Sequence, residues 1–506
     1  MSSGTRGRGG VIALFVLLIV GLVMGGVAAQ ASVIYVDKSA GGSNNGSSWA
    51  NAYTDLQAAL GAAAIGEDIY VAAGIYYPGS TQTSSFDLKN KDGVGLYGGY
   101  PTGGGTRDVA ANVTALSGDV DHNDTTDANG VTTTIVGGNA YHVVRSTNNH
   151  NTAILDGFTI TGGNANGSYP DNDNAGGGMF NHFSSPTVTN CTFSGNTAFN
   201  GGGMFNFSSS PALTNCTFSG NTASTGGGMF NSSSSPTLTN CTFSGNTAST
   251  GGGMYNYFSS SLTLTNCTFS GNTASTTGGG MKNSSSSPTL TNCTFSGNTA
   301  STTGGGMFND SSSFTLTNCT FSNNTAVHGG GMENYVSSTA KIYDTILWGD
   351  SGGEIANSSS TPTVADCVVQ GGYTGGTNII TADPLLGTLG DYGGNTATIP
   401  LLSGSSAIDA AAYPSGVTKP DTDQRGVTRP QGPKCDIGAY EYVSPVGDVN
   451  GDGTINILDV RLCLQIAVGV IPGTAAQRAQ ADMNGDGQVT LVDAQLLADY
   501  VIGISS

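Results

Sequence analysis

The sequence predicts an all-β right-handed parallel β-helix with an N-terminal capping helix, followed by a small all-α domain. Three observations carry this. The stretch 226-GGGMFNSSSSPTLTNCTFSGNTAST-250 returns almost unchanged along the chain, and GGG begins at positions 176, 201, 226, 251, 278, 304 and 329. A period near 25 residues, with strand-favouring Thr, Leu and Phe, is too short for most helical repeats. The last sixty residues lose the period and hold two acidic, glycine-containing loops, each running into an apolar segment.

Composition fits a folded, exported chain. Of 506 residues, 79 are glycine and only 10% are charged, yet 37% are hydrophobic, which is more than a disordered chain carries. Thirty-four acidic residues against 15 basic give a net charge of −19. That balance disfavours binding a nucleic-acid backbone. With so few charges in all, it also fits poorly with a salt-adapted surface, and part of the acidity is expected to serve as cation ligands.

At the N-terminus, Arg6 and Arg8 precede an apolar run from Val11 to Met24, and Ala29-Gln30-Ala31 has the form of a cleavage site. Residues 1–31 read as a secretion signal. The other reading is a membrane anchor, but the run is shorter than the ~20 residues of a spanning helix. No later segment is apolar enough to span, so the chain is expected outside the cytoplasm, starting near Ser32.

A β-helix domain is expected over 32–445. Val33–Val36 reads as its first strand. Residues 49–64 read as an amphipathic helix, with Tyr53, Leu56, Ala59, Leu60 and Ala63 on one face. Such a helix caps an open sheet end that would otherwise pair with another chain. Residues 69–73 form a buried strand.

The regular repeats run over 176–340. Within one of them, Leu238 alternates with its neighbours, Asn240 breaks the alternation, and Cys241 and Phe243 resume it in a new phase. This reads as two strands joined at an asparagine bend, another bend at Asn246, and a further strand after the glycines. Coils stacked ~4.8 Å apart place each residue on its equivalent. Leucine then lies on leucine and phenylalanine on phenylalanine, while asparagines bond amide to amide. Glycine permits positive φ and close approach.

Cys191, Cys216, Cys241, Cys267, Cys293 and Cys319 recur once per repeat, so they read as small apolar stacking residues rather than a disulfide framework. Their N-C-T triplets match the glycosylation pattern, but the asparagines are placed at inward corners and discounted.

The GGGMFN and FSGN elements, over roughly 150–340, resemble the repeats of chlamydial polymorphic outer membrane proteins and related bacterial β-helix proteins. The resemblance implies surface exposure, adhesion or display, and no active site. Residues 383–442 (ADPLLG, AIDAA, DTDQRGVTRP and CDIGAYEY) resemble the end of bacterial surface proteins of the choice-of-anchor Q group. There the segment closes the helix and precedes an attachment device.

That device is the clearest motif. Residues 448–459 read DVNGDGTINILD and 482–493 read DMNGDGQVTLVD. Both place oxygen-bearing side chains at loop positions 1, 3, 5, 9 and 12 and glycine at position 6, the donor set and tight turn that calcium requires. Asp448, Asn450, Asp452 and Asp459 are the side-chain ligands, Thr454 offers its carbonyl, and Asn456 acts through water. Asp482, Asn484, Asp486, Gln488, Thr490 and Asp493 repeat those roles. Two copies 34 residues apart leave little room for reading them as acidic turns.

The pair, over 446–506, resembles a type I dockerin. The resemblance implies two calcium ions, metal-coupled folding and capture by a cohesin module. Cohesin contacts fall at positions 10 and 11, here Ile457, Leu458, Leu491 and Val492, for which packing inside the module is the competing reading. The basic residues often found later in the helix are missing: Leu464-Gln465 and Ala498-Asp499 stand there.

No catalytic residue is named by the sequence. Between Gly176 and Val327 stand one acid, Asp310, and one lysine, Lys282. A polysaccharide lyase or glycosidase needs clustered carboxylates or a carboxylate–base set. Candidates outside the repeats are Asp119, Asp121, Asp124 and Asp127 with His122, read as a loop or structural cation site, and Asp421, Asp423, Arg425 and Arg429, read as an ion-paired cap. His182 and His328 read as solvated. Phe180, Phe205, Tyr255 and Tyr257 read equally as core or as sugar-stacking rings. The expected role is a surface, adhesive or carbohydrate-binding rod held by a dockerin; the alternative is a polysaccharide-degrading component of a cohesin-organised complex.

Overall fold

The computed structural model describes residues 32–168, 172–451 and 453–504. The signal segment expected over 1–31 lies outside the described residues. Among the described residues no helix is long and apolar enough to cross a membrane.

Each regular coil contributes four short strands, one to each side of the solenoid. In one coil these are Thr237–Thr239, Thr242–Ser244, Thr247–Thr250 and Met254–Tyr257. They stack in parallel into sheets of twelve, eleven, six and ten strands. Register is residue on equivalent residue: Leu213 on Leu238 on Leu264, and Phe218 on Phe243 on Phe269. The Thr-Ala-Ser-Thr strand was not legible as such, since its only apolar residue is one alanine. It forms because its neighbours in the stack supply the pairing.

Inside, identical side chains make columns. Phe193, Phe218, Phe243, Phe269, Phe295 and Phe321 are completely buried, with neighbouring ring centroids 4.6–4.7 Å apart and planes within 4°. Two buried asparagine ladders run beside them. In one, Asn196, Asn221, Asn246, Asn272, Asn298 and Asn324 donate Nδ2 to the Oδ1 of the next rung at 2.8–3.0 Å. In the other, Asn181 through Asn334 do the same at 2.8–3.1 Å. A buried amide is thereby satisfied without water.

The asparagines of the N-C-T triplets correct the sequence reading. Asn190, Asn215, Asn240 and Asn266 stand at left-handed corners (φ 52–55°) and face outward in a third ladder, not inward. Their neighbours Asn292 and Asn318 are buried only because the C-terminal segment covers them.

The glycine clusters have a steric cause. A Cβ on Gly252 would lie 2.5 Å from the Gly279 carbonyl oxygen and 2.6 Å from that of Thr273, a distance no side chain tolerates. Gly251 before it takes a φ of +64°.

At the N-terminal end, Val33–Val36 edges the twelve-stranded sheet and pairs with Asp68–Ala72. The cap is shorter than the expected 49–64. A 3-10 turn covers Trp49–Asn51, and a helix covers Leu56–Ala62, N-capped by Asp55, whose carboxylate accepts from the Gln57 N–H at 2.9 Å. Leu56, Ala59, Leu60 and Ala63 enter the core, whereas Tyr53 is half-buried.

All nine cysteines are free and buried. Each ladder thiol points at a carbonyl of the previous coil, Cys241 Sγ to Leu213 O at 3.8 Å for example. Burial pushes the thiols of Cys191, Cys216, Cys241, Cys267 and Cys293 well above their ordinary range. The thiolate is the reactive form. An aromatic disulfide reagent is therefore expected to leave the native chain unlabelled for hours and to label nine thiols in denaturant; a count below nine in denaturant would reveal a disulfide.

Candidate functional site

Past the last full coil, residues 383–442 fold back along the outside of the eleven-stranded sheet. Gln424 donates Nε2 to Thr268 Oγ1 at 2.8 Å and accepts at Oε1 from Thr294 Oγ1 at 2.6 Å, and the Ala439 N–H reaches Thr320 Oγ1 at 3.0 Å. Three of the four charged residues expected to form an ion-paired cap are paired, and Asp421 stands exposed, its backbone carbonyl accepting from the Arg429 N–H. Arg429 and Glu441 meet at 2.7 Å with both side chains fully buried, and Arg425 meets Asp423 at 2.7 Å while lying over the Tyr440 ring. Burial, and then the neighbouring Glu441 charge, push the Asp436 carboxyl up to about 7. Asp423, Arg425, Arg429 and Glu441 are all engaged in holding the strap.

The Asp119 loop is likewise self-satisfied. Asp119 accepts from the Asn123 and Asp124 N–H groups, Asp121 from Gly138, and Asp124 from Val136 N–H and Asn139 Nδ2. His122 packs edge-on against Tyr77. The arrangement is that of a structural loop.

Beyond the strap, three helices span Ile457–Ala467, Ala475–Ala481 and Leu491–Val501 around a small core of Val449, Cys463, Ile466, Ala481, Ala494 and Leu497. The two acidic loops sit in front of the first and third helices in matching geometry. Asp448 accepts from Gly451 and Gly453, as Asp482 does from Gly485 and Gly487, all at 2.8–2.9 Å. Asp459 accepts from Asn450 and Asn456, and Asp493 from Asn484 and Thr490. Position 6 is glycine at φ +81° in both loops, Gly453 and Gly487. Burial raises the Asp493 carboxyl, but the hydrogen bonds from Thr490, Asn484 and Met483 outweigh it and hold the group below the usual range.

The donor chemistry of both loops is oxygen throughout, which suits a hard cation. Asp452 lies outside the described residues. Among the described residues no three His, Cys, Asp or Glu side chains gather at one point; Asn484, Gln488 and backbone carbonyls are the remaining donors of the second loop. Position 9 has a second use. Asn456 and Thr490 are helix N-caps, accepting from Leu458 and Val492, and Asn456 Nδ2 also donates to the Thr454 carbonyl.

The four dyad residues do not pack inside. Ile457, Leu458, Leu491 and Val492 are 65%, 51%, 60% and 57% exposed at the first turn of their helices. Aliphatic pairs left in water beside a loop are what a partner surface covers.

A second feature lies on the outer face of the ten-stranded sheet. The residue after each GGGM occupies one column: Phe180, Phe205, Phe230, Tyr255, Lys282, Phe308, Glu333. Phe180, Phe205 and Phe230 stack 5.4–5.7 Å apart and are buried beside the neighbouring sheet. The next outward column carries His182, Phe207, Tyr257, Asp310 and Tyr335. His182 is half-buried and sandwiched between Phe180 and Phe207 rather than solvated. His328, by contrast, is exposed.

Lys282 and Asp310, the one lysine and the one acid between Gly176 and Val327, thus fall on adjacent strands of one face, with Glu333 on the strand after. Sequence reading missed this convergence. The signal was present as a column, visible only once the repeats are aligned on GGGM.

The family comparisons agree with this geometry. Residues 119–284 and 249–385, together more than half of the chain, match the right-handed beta helix region. The chain belongs to that family of right-handed β-helix proteins. It also carries a type I dockerin domain, matched over 446–502, a class that binds calcium and docks to cohesin modules. The chain is similar to the solved structure of pectate lyase Pel9A (14% identity, covering 82% of this chain and 97% of that one, TM-score 0.49). It is also similar to a rhamnogalacturonan lyase (13% identity, 70% and 85% covered, TM-score 0.30). No curated protein matches the chain.

Proposed function

We propose that this is a secreted rod, with a surface-adhesive or carbohydrate-binding role, attached through its calcium-loaded dockerin to a cohesin-bearing partner. The domains are a signal over 1–31, the β-helix over 32–445 and the dockerin over 446–506. The observation that carries the reading is the duplicated loop–helix unit whose position 10 and 11 aliphatics stand exposed in both copies. Two calcium ions are held by Asp448, Asn450, Asp452, Thr454, Asn456 and Asp459, and by Asp482, Asn484, Asp486, Gln488, Thr490 and Asp493.

A panel of immobilised cohesins in calcium tests it: at least one captures the full chain, and chelator releases it. Replacing Ile457, Leu458, Leu491 and Val492 together by serine is expected to weaken capture at least ~100-fold, the scale of a few buried aliphatic anchors. Capture unchanged by the four serines would sink the assigned surface.

A second reading, a polysaccharide-degrading component, is favoured by one observation: Lys282, Asp310 and Glu333 share a face. Cleavage assays on pectins, xylans and alginates decide between them. Turnover abolished by Asp310→Asn would establish the enzyme.

A further inference from the structure

Lys282 is unusual for this chain. Its ammonium lies 5.0 Å from the Tyr255 ring centre and 5.6 Å from that of Phe308. Among the described residues no carboxylate comes within 4 Å of it, although the protein has more than twice as many acids as bases. Burial holds its pKa below the usual lysine range, and Asp310 only partly restores it. A half-buried cation is costly unless a counter-charge meets it. The two rings give part of that compensation and leave the outward side of the ammonium open.

The surroundings are amphipathic. Tyr257 and Tyr335, each 46% exposed, flank the lysine along the rod, and a cleft of about 540 Å³ opens next to it between Phe308, Glu333, Tyr335 and Asn357. Ser358 Oγ donates to Glu333 at 2.8 Å, and Tyr255 Oη lies 3.4 Å from Ser284 Oγ. Flat apolar platforms edged by hydroxyls, amides and carboxylates match a pyranose, whose ring C–H face is apolar and whose rim is hydroxyl. The exposed rings Phe207, Tyr257 and Tyr335 stand in one column, with Ser232 between the first two and Ser284 and Asp310 between the last two, so a chain of such sugar rings lying along the rod meets an aromatic platform at intervals.

We propose that this face binds a polysaccharide strand and that Lys282 receives the carboxylate of an isolated uronic-acid unit within an otherwise neutral chain. The charge pattern selects that ligand. One cation followed along the rod by Asp310 and Glu333 on the next two strands, on a protein of net charge −19, can accept one carboxylate but repels a run of them. A fully charged polyuronate is therefore the wrong partner, and a wholly neutral glucan leaves the lysine unpaired. The inference rests on the carbohydrate-binding form of the displayed-rod reading and assigns its ligand.

Calorimetry on the full chain in calcium tests it with three probes: a xylan bearing single glucuronic-acid branches, the same polymer after its carboxyls are reduced to alcohols, and polygalacturonate. The branched acidic xylan is expected to bind best, and Lys282→Met to weaken it about tenfold, to the level of the reduced polymer. Lys282→Arg should keep most of the affinity, and rising salt should erode it. Equal binding of the reduced polymer, tighter binding of polygalacturonate, an unchanged Lys282→Met, or no binding of any probe each overturns the proposal. Should Lys282→Met fail to fold, the comparison among the three probes on the unaltered chain decides alone. Cohesin capture run on the same samples reports separately on the dockerin reading.

Discussion

Chelating calcium from the full chain is expected to unfold residues 446–506 and leave the solenoid folded. The module has about sixty residues and, among the described residues, only six well-buried apolar or thiol side chains in its core, too few to hold so short a chain without help. Asp448, Asp459 and Asp493 are buried to within 1%. In each loop the position 1 and position 12 carboxylates accept from backbone N–H groups of the same turn, so both are fixed within one short loop. Without a cation those charges repel in a desolvated setting, so the loops that cap the first and third helices lose their reason to close. A ligand at 100 times its Kd adds about 2.7 kcal/mol per site, comparable with the whole stability of such a module. The solenoid has its own core and no loop of this kind in it. Hydrogen exchange should therefore show protection lost across Ile457–Ala467 and Leu491–Val501 in chelator and kept in the sheets. Asp482→Ala should reduce the calcium sites seen by calorimetry from two to one. Helices equally protected with and without calcium would sink the metal-coupled module.

Much of this was legible in the sequence because stacking makes the same demand at every coil. Leu238, Cys241 and Phe243 point inward as their alternation requires, and Asn246 forms the buried ladder its position suggested. Asn240 was placed wrongly. A left-handed corner fixes the backbone but not the side of the wall on which its amide falls, and the three-residue strands on either side are too short to decide by pattern. The Thr247–Thr250 strand and the strap over the outer face were hidden for another reason: both form through partners remote in sequence, such as Gln424 with Thr268 and Thr294. The calcium loops were legible because twelve consecutive residues carry the donor set. The Lys282 face was not, since its residues lie on separate coils and meet only through the register.

The largest single-residue loss in the solenoid is expected at Asn272→Ala. Asn272 is completely buried mid-ladder. Its Oδ1 accepts from the Asn246 backbone N–H at 3.1 Å and from Asn246 Nδ2 at 2.9 Å, while its own Nδ2 donates to Phe243 O at 2.9 Å and Asn298 Oδ1 at 2.8 Å. Truncation strands the Asn246 N–H in a wall that excludes water, takes from the Phe243 carbonyl its side-chain donor and breaks the bonds to both neighbouring rungs, at about 1–3 kcal/mol for each group left unpaired, and leaves a small cavity as well. A total near 3–5 kcal/mol follows, the range reserved for broken buried networks. Asn240→Ala removes one rung of the outward ladder, where water replaces the lost bonds, and should cost less than ~1 kcal/mol. A solenoid opens locally, so the effect should centre on the coils of residues 219–300 and fade with distance, read as lost hydrogen-exchange protection there. Asn272→Asp separates shape from hydrogen bonding. An ionised carboxylate can accept from Asn246 but cannot donate to Phe243 or Asn298, so its stability should fall as pH rises through its buried, elevated pKa. Asp350 shows the form in which a carboxyl ends this ladder: it accepts from the Asn324 N–H and Nδ2 at 2.6 and 2.9 Å, and burial, with Glu354 beside it, pushes its pKa well above the usual carboxylate range. Equal losses from Asn272→Ala and Asn240→Ala would mean that the ladder's strength comes from packing alone.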